Sequence, residues 1–249
     1  MDDLNQLMQG ERIDEIGFGK LCLIQKPQAF CYGIDAVLLA SYAKVKKNSR
    51  VCDLGTGTGV IPLILSHKTE ASHIWGVEVQ EDSYQRGLRN IALNQLSDRL
   101  HMLHSDVLNV SKHFEKGSFD VVLSNPPYMG KVDGLKNEDE EKKIARHETS
   151  AGLEDFISAA AYLLRELGDF YLVHRPSRLV DICQLGRKYR LEPKHIRFVC
   201  PNYKKKPNIL LTHFVKYGKP ELKFEDMLFV YKEDGTYTKE ILKIYERTE

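Results

Sequence analysis

Asn125-Pro126-Pro127-Tyr128 places an amide side chain, a rigid proline pair and an aromatic ring in four consecutive positions. That combination suits one difficult reaction, the alkylation of a planar nitrogen. The lone pair of an exocyclic base amine or a carboxamide is delocalised into a π-system, so the nitrogen is a poor nucleophile. Two acceptors that take both N–H bonds draw the lone pair out of conjugation and aim it at an electrophile. The Asn125 side-chain oxygen and the Pro126 carbonyl can be those acceptors, and the prolines stiffen the loop that holds them. Tyr128 offers a ring on which a flipped base can stack, worth roughly 1–3 kcal/mol. The catalytic gain is orientation; no strong base is needed, because the nitrogen sheds a proton easily once alkylated.

Three further positions carry chemistry. Asp53-Leu54-Gly55-Thr56-Gly57-Thr58-Gly59 is an acid followed by a glycine turn, and glycines there allow positive φ and close approach of a ligand to backbone N–H groups at a helix start. Val60 stands where a dinucleotide-binding turn needs glycine, and Val60-Ile61-Pro62 supplies no phosphate-loop Lys-Ser/Thr, so neither nucleotide motif is present. Glu78 can accept both hydrogen bonds of a ribose diol. Asp106, in His104-Ser105-Asp106-Val107, stands after the next apolar run.

All four positions sit at the ends of predicted strands. Residues 11–16 and 20–25 flank Gly17-Phe18-Gly19 as a hairpin, and 35–43 form a short buried helix. Strands are then expected over 51–54, 74–78, 100–104, 119–124, 169–174, 195–200 and 209–215. Helices are expected from the glycine turn through 67 and over 82–96, 153–167 and 178–189, with a strand at 228–231 and a helix at 239–245 closing the chain. Residues 130–143 read as a mobile polar loop. The alternation predicts an α/β Rossmann-like fold with a seven-stranded, mostly parallel sheet, and the short link between the last two of those strands predicts one antiparallel edge strand. The chain is expected to be one domain, 1–249, with residues 1–49 as an N-terminal hairpin-plus-helix extension and 50–249 as the core. Ligands in such sheets bind outside the carboxyl ends of the strands, where these four positions converge.

With 249 residues, 42% hydrophobic and 29% charged, the composition is that of a soluble globular protein and excludes collagen-like and broadly disordered classes. No apolar run is long enough to span a membrane. An acidic, polar start and five scattered cysteines with no CxxC pair point to reduced thiols in the cytoplasm, with no zinc site. The nine histidines show no ligand spacing, so no metal is expected. The net charge of +1 hides an asymmetry: residues 174–219 hold twelve Lys and Arg against Asp181 and Glu192. Lys204, Lys205 and Lys206, next to Tyr203, form a basic loop suited to phosphates and stacking. Arg187, Lys188, Arg190, Lys194 and Arg197 thicken that patch. Arg146 and His147 can contact RNA or the target base, or form a plain surface pair.

The acid followed by Leu-Gly-x-Gly-x-Gly, with Asn-Pro-Pro-Tyr after the fourth strand, resembles class I methyltransferases. Over nearly its whole length the chain looks like the bacterial tRNA1(Val) (adenine(37)-N6)-methyltransferase family. The marks are Phe30-Cys31-Tyr32-Gly33-Ile34-Asp35-Ala36-Val37-Leu38-Leu39, Asn125-Pro126-Pro127-Tyr128, Ala145-Arg146-His147-Glu148 and Gly235-Thr236-Tyr237-Thr238-Lys239-Glu240-Ile241. The resemblance implies S-adenosylmethionine as cofactor, with Asp53 near its methionine amino group, Gly55 and Gly57 passing under it and Gly59 closing the turn. It further implies Glu78 at the ribose, Asp106 and Val107 at the adenine, Asn125 beside the cofactor as well as in catalysis, and Asp35, on a helix that closes over the cofactor, as a contact. Asp35 can equally be a helix N-cap acid. The implied partner is tRNA, and no obligatory protein partner is evident. Other substrates share the Asn-Pro-Pro-Tyr loop: adenine in rRNA or DNA, and the glutamine amide of release factors. The last usually goes with a helical substrate domain ahead of the core, and residues 1–52 read instead as a hairpin and one helix. A non-catalytic RNA-binding protein would need neither the intact loop nor the glycine turn.

Overall fold

The computed structural model describes residues 7–27, 32–128 and 151–247. Arg146, His147 and the 130–143 segment lie outside the described residues. The chain opens with the expected hairpin, β1 (Arg12–Glu15) and β2 (Cys22–Gln25), followed by α1 (Ile34–Tyr42). The alternating core then runs β3 (Arg50–Leu54), α2 (Val60–Lys68), β4 (His73–Glu78), α3 (Glu81–Leu93), β5 (Leu100–His104) and β6 (Phe119–Ser124). It continues with α4 (Leu153–Leu163), β7 (Leu164–His174), α5 (Leu179–Lys188), β8 (Leu191–Cys200) and β9 (Ile209–Lys216). Two short strands, β10 (Lys223–Phe224) and β11 (Leu228–Phe229), and α6 (Lys239–Ile244) close it.

The large sheet has the order β10-β8-β9-β7-β6-β3-β4-β5, with β11 also pairing β8. Its seven long strands are those the sequence predicts; β10 and β11 extend it. Alternate residues feed two cores. Val51, Ile74, Val121, Leu123 and Tyr171 face α1, α2 and α6. Cys52, Leu54, Val77, Val122 and Phe170 face α4 and α5. Burial on both faces explains why these strands read as continuous apolar runs.

Two expectations are corrected. The antiparallel strand, β9, is not at the edge: it pairs with β7 on one side and β8 on the other, both antiparallel. The short link from β8 forces a hairpin, but β9 has a second hydrogen-bonding edge, and β7 takes it. The helix expected through 167 stops at Leu163, because Leu164 pairs with Phe119 and starts β7. The buried Lys216 ammonium, reaching in from β9, donates to the carbonyls of Ala161 (2.5 Å) and Leu164 (2.7 Å) and so caps the helix end.

Side-chain amides hold the hairpin to the core. Asn94, which caps the C-terminal end of α3, accepts from the Cys22 N–H at 2.9 Å and donates to the Cys22 carbonyl at 2.7 Å. Asn90 accepts from the Ile24 N–H at 2.7 Å and donates to the Thr58 carbonyl at 3.0 Å, joining the hairpin to the glycine turn. Glu11 adds a buried ion pair with Arg89 (2.6 Å) and Arg86 (3.0 Å). The Arg89 hydrogen bond, with the Met8 N–H and Arg86, holds the Glu11 carboxyl down at about 2 against the upward push of burial. A carboxyl depressed on folding contributes stability above its unfolded pKa and loses it as pH falls, here from about 4.5 toward 2, on the order of 3 kcal/mol. Glu11→Gln is therefore expected to melt several degrees below the wild type at pH 7, with the gap narrowing as pH drops below 4. Melting curves across pH check this, and a gap independent of pH would assign the loss to packing.

Candidate active site

The strand order builds the site. Leu54 pairs with Val77 on one side and with Ser124 on the other, while Glu78 pairs with His104 and Ser124 with Leu172. The carboxyl ends are therefore level, and along one rim come His174, Asn125, the glycine turn, Glu78 and Asp106. Neighbouring strands lie about 5 Å apart, so the rim spans a nucleoside-sized ligand from Asn125 to Asp106. Sequence order reverses between β3 and β6, the switch point at which open α/β sheets bind ligands.

The glycine turn is stitched to β4. The Gly55 and Thr56 N–H groups donate to the Val77 carbonyl at 2.9 and 3.0 Å, and the Gly57 N–H donates to Glu78 Oε2 at 2.7 Å. Gly55, Gly57 and Gly59 all have positive φ. At Gly57, φ is +59° and a Cβ would meet nothing within 4 Å, so the turn borders open space. Gly76, below it in β4, has no room for a side chain, since a Cβ would come within 2.6 Å of Thr56 Cγ2. Glu78 also accepts from the Gln80 N–H at 2.9 Å; burial raises its carboxyl pKa, opposed by these backbone donors.

Asp53 is fully buried, and neither carboxylate oxygen has a hydrogen-bond partner. Burial raises its pKa to about 7; the nearby Thr56 hydroxyl, itself without a hydrogen-bond partner, pulls down and the Glu78 charge pushes up. A buried acid in want of a cation, beside a turn that leaves space over Gly57, fits a ligand with an ammonium group. Asp106 caps the 3-10 turn Val107–Lys112, its Oδ1 accepting from the Leu108 N–H at 2.9 Å. Val107 is buried next to it.

On the other side of the turn, the Ser124 hydroxyl donates to the Leu54 carbonyl at 2.9 Å and fixes the start of the Asn125 loop. Pro126 is buried and Asn125 half-buried. The Tyr128 hydroxyl donates to Asp35, and Asn125 Oδ1 lies 3.1 Å from the same oxygen. Since the charged acceptor takes the proton, Asn125 Oδ1 keeps lone-pair capacity for an incoming amine. Burial and the Asp35 charge push the Tyr128 pKa up, so the phenol stays a donor. Asp35 is thus neither an N-cap, a position Gly33 occupies, nor free of protein partners; it ties α1 to the Asn125 loop.

Two residues beside Tyr128 have no motif to announce them. His174 is buried, its ring centroid 5.0 Å from that of Tyr128, and its pKa is lowered to about 4 by burial and by Arg178 and Arg175. The Arg175 guanidinium lies over the Tyr128 ring, 4.6 Å from its centroid. Their position, at the last residue of an apolar strand of the series and directly after it, was the one available signal.

The basic segment divides. Because β8 runs parallel to β7, the 201–208 loop at its carboxyl end shares the rim with Asn125, and Tyr203, Lys204, Lys205 and Lys206 are exposed there. Arg187, Lys188 and Lys194 lie at the other end, where Arg187 pairs with Glu192 (2.7 Å) and Lys188 with Glu154 (2.5 Å), while Lys194 donates to the Lys219 carbonyl at 3.1 Å. Arg190 ends the turn before β8. Arg197 is engaged within the protein: its side chain is 16% exposed and is held by Glu240 (2.6 Å) and the Asp226 carbonyl (2.9 Å), fastening α6 and the β10–β11 link to the sheet. Among the described residues no three His, Cys, Asp or Glu side chains gather as a metal site, and no helix is long and apolar enough to cross a membrane. A cavity of about 520 Å³ lined by Lys44, Lys68, Asp169, Tyr171 and His213 contains none of the rim residues.

The parallel order, the switch point and the acid-tipped rim define a class I methyltransferase fold. The chain belongs to the methyltransferase small domain family, which matches residues 20–181. It is 28% identical over 212 residues to a tRNA1(Val) (adenine(37)-N6)-methyltransferase of Flavobacterium johnsoniae, covering 85% of this chain and 89% of that protein. It is 30% identical over 183 residues to the enzyme of the same name from Phocaeicola vulgatus, covering 73% and 75%. Among solved structures, a predicted O-methyltransferase from Agrobacterium tumefaciens superposes with a TM-score of 0.70 at 21% identity, over 85% of this chain and 95% of that one, a likeness of fold.

Proposed function

We propose that the protein is an S-adenosylmethionine-dependent methyltransferase that modifies the N6 amine of an adenine in tRNA, A37 of tRNA1(Val) by its likeness to the enzymes of that name. The observation that carries the reaction is the Asn125 loop placed on the strand next to a glycine turn with an orphaned buried acid behind it. S-adenosylmethionine, when bound, supplies an electrophilic methyl group. Asp53 faces its ammonium, Gly55, Gly57 and Gly59 give it backbone contact, Glu78 takes the ribose diol, and Asp106 and Val107 border the adenine. Asn125 Oδ1 and the Pro126 carbonyl accept the two N–H bonds of the target amine and turn its lone pair toward the cofactor side of the rim. Pro127 keeps that carbonyl in place, and Asp35 holds Tyr128 so that its ring can carry the base.

The chain works in this reading as one cytoplasmic catalytic domain, with residues 1–49 covering the cofactor side and 50–249 forming the core. The exposed Lys204, Lys205 and Lys206 meet the phosphates of the RNA, with Arg146 as a further RNA contact. Replacing the three lysines by Ala is expected to weaken tRNA binding and to flatten the slope of log K against log salt by about 0.7 per lost contact. Binding titrations at several salt concentrations measure this; an unchanged slope removes the loop from the interface.

The reading itself is tested by offering labelled S-adenosylmethionine with unmodified tRNA(Val) transcript, bulk tRNA, rRNA, DNA and a release factor in parallel. N6-methyladenosine in the tRNA alone supports it. Label in the release factor would move the activity to a glutamine amide, and label in rRNA or DNA would change the polymer.

A further inference from the structure

Arg175 belongs to no motif, yet its side chain touches two parts of the proposed machinery at once. Its guanidinium carbon lies 4.6 Å from the centroid of the Tyr128 ring, and its Nη1 donates to the Asn208 carbonyl at 3.1 Å. Asn208 closes the loop that carries Lys204, Lys205 and Lys206, and its own N–H is fixed to the Val199 carbonyl at 3.0 Å. Arg175 is exposed, while its backbone N–H is anchored to Nδ1 of the buried His174 at 2.8 Å. The backbone is therefore held and the side chain can turn.

The chemistry of the two contacts is unequal. The guanidinium sits over a half-buried aromatic ring in a cation–π contact, and its other bond goes to a neutral carbonyl. A phosphate offers a charge-assisted, bidentate acceptor about twice as strong per bond. RNA docked on the lysine loop would bring such an acceptor beside Asn208. The ring face that the guanidinium covers is a planar π-surface of the kind a flipped base occupies.

We propose that Arg175 is a positioning residue that couples RNA docking on the 201–208 loop to release of the Tyr128 ring for the target base. Without RNA it covers the ring and keeps Tyr128 packed. With RNA it turns to a phosphate and holds the backbone beside the target nucleotide, so that the base is kept on the vacated face; an open face without that hold does not retain it. The inference rests on the tRNA reading above, and its test separates the two.

Hydrogen–deuterium exchange on the full chain, with S-adenosylmethionine present, is compared with and without tRNA(Val). The wild type is expected to gain protection both at 201–208 and in the segment carrying Asn125 and Tyr128. Arg175→Ala is expected to gain it at 201–208 alone, with kcat lowered about tenfold, cofactor affinity unchanged and tRNA affinity lowered less than kcat. Arg175→Lys, which keeps the charge and loses the planar fork, should recover tRNA affinity but not kcat. Replacing Lys204, Lys205 and Lys206 by Ala should reduce kcat in the wild type and have no further effect on kcat in Arg175→Ala. Full protection of the Asn125 segment in Arg175→Ala, or multiplying kcat losses, would overturn the coupling while leaving the enzyme a tRNA methyltransferase. Protection of neither segment by tRNA in the wild type would overturn the RNA reading and the coupling with it.

Discussion

Replacing Asn125 by Ala is expected to lower kcat by at least about a thousandfold while tRNA and cofactor affinities change less than threefold. The size follows from what the side chain does. In the proposed reaction its oxygen is an acceptor needed only where the amine leaves conjugation, and removing one preoriented polar group from such a position costs about 10²–10³ in kcat, with lost alignment of the lone pair added to that. Binding is spared because Ser124 and the buried Pro126 hold the loop from both sides of position 125. Single-turnover rates beside equilibrium binding separate the two effects. Equal losses in rate and in RNA affinity would show that Asn125 binds substrate rather than activates it.

Asp53→Asn is expected to make the cofactor-free protein more stable and the enzyme worse. A carboxyl whose pKa rises from 3.8 to about 7 on folding retains a proton that the unfolded chain gives up. Stability therefore falls as pH rises through that window, by on the order of 4 kcal/mol if nothing relaxes, and Glu78, also raised by burial, adds in the same direction. An amide at 53 has no such proton to lose. The variant should melt several degrees above the wild type at pH 8 and close to it at pH 4, with affinity for S-adenosylmethionine down at least tenfold. In the wild type, saturating cofactor should erase much of the alkaline loss, because a cation reaches the buried acid. Melting curves at both pH values, with and without cofactor, measure every part of this. A variant less stable than the wild type at pH 8 would mean that Asp53 already has a strong partner in the free protein.

The rim was legible because its signals are local. A glycine turn, an acid at a strand end and a proline pair after an apolar run each declare themselves within a few residues. So do the strands that carry them, buried on both faces. What escaped depends on residues far apart in the chain. Lys216 ends α4 from more than fifty positions away. Glu11 meets Arg86 across a separation of 75. A run of basic residues looks uniform in sequence, yet the turn before β8 sends Arg187 and Lys188 to one end of the sheet and Lys204 to the other. Arg197 reads like its neighbours until Glu240, 43 residues on, claims it. Arg175 and His174 carry no pattern; only the strand order, which lays the end of β7 beside the Asn125 loop, gives them meaning.

The inward placement of β9 also sets an order of assembly. β8 joins the large sheet through β9, and β9 is made last of the seven long strands. A growing chain that has just passed residue 208 already contains the glycine turn, the Asn125 loop, Arg175 and the lysine loop. At that length β8 has no strand to pair with inside the sheet, and β7 presents an open, apolar edge of the kind that invites mispairing. Pairing of Ile209–Lys216 closes both gaps in one step. Every residue of the proposed centre therefore precedes in the chain the strand that seats the 201–208 loop beside it, and the rim is completed by a strand that holds none of the chemistry.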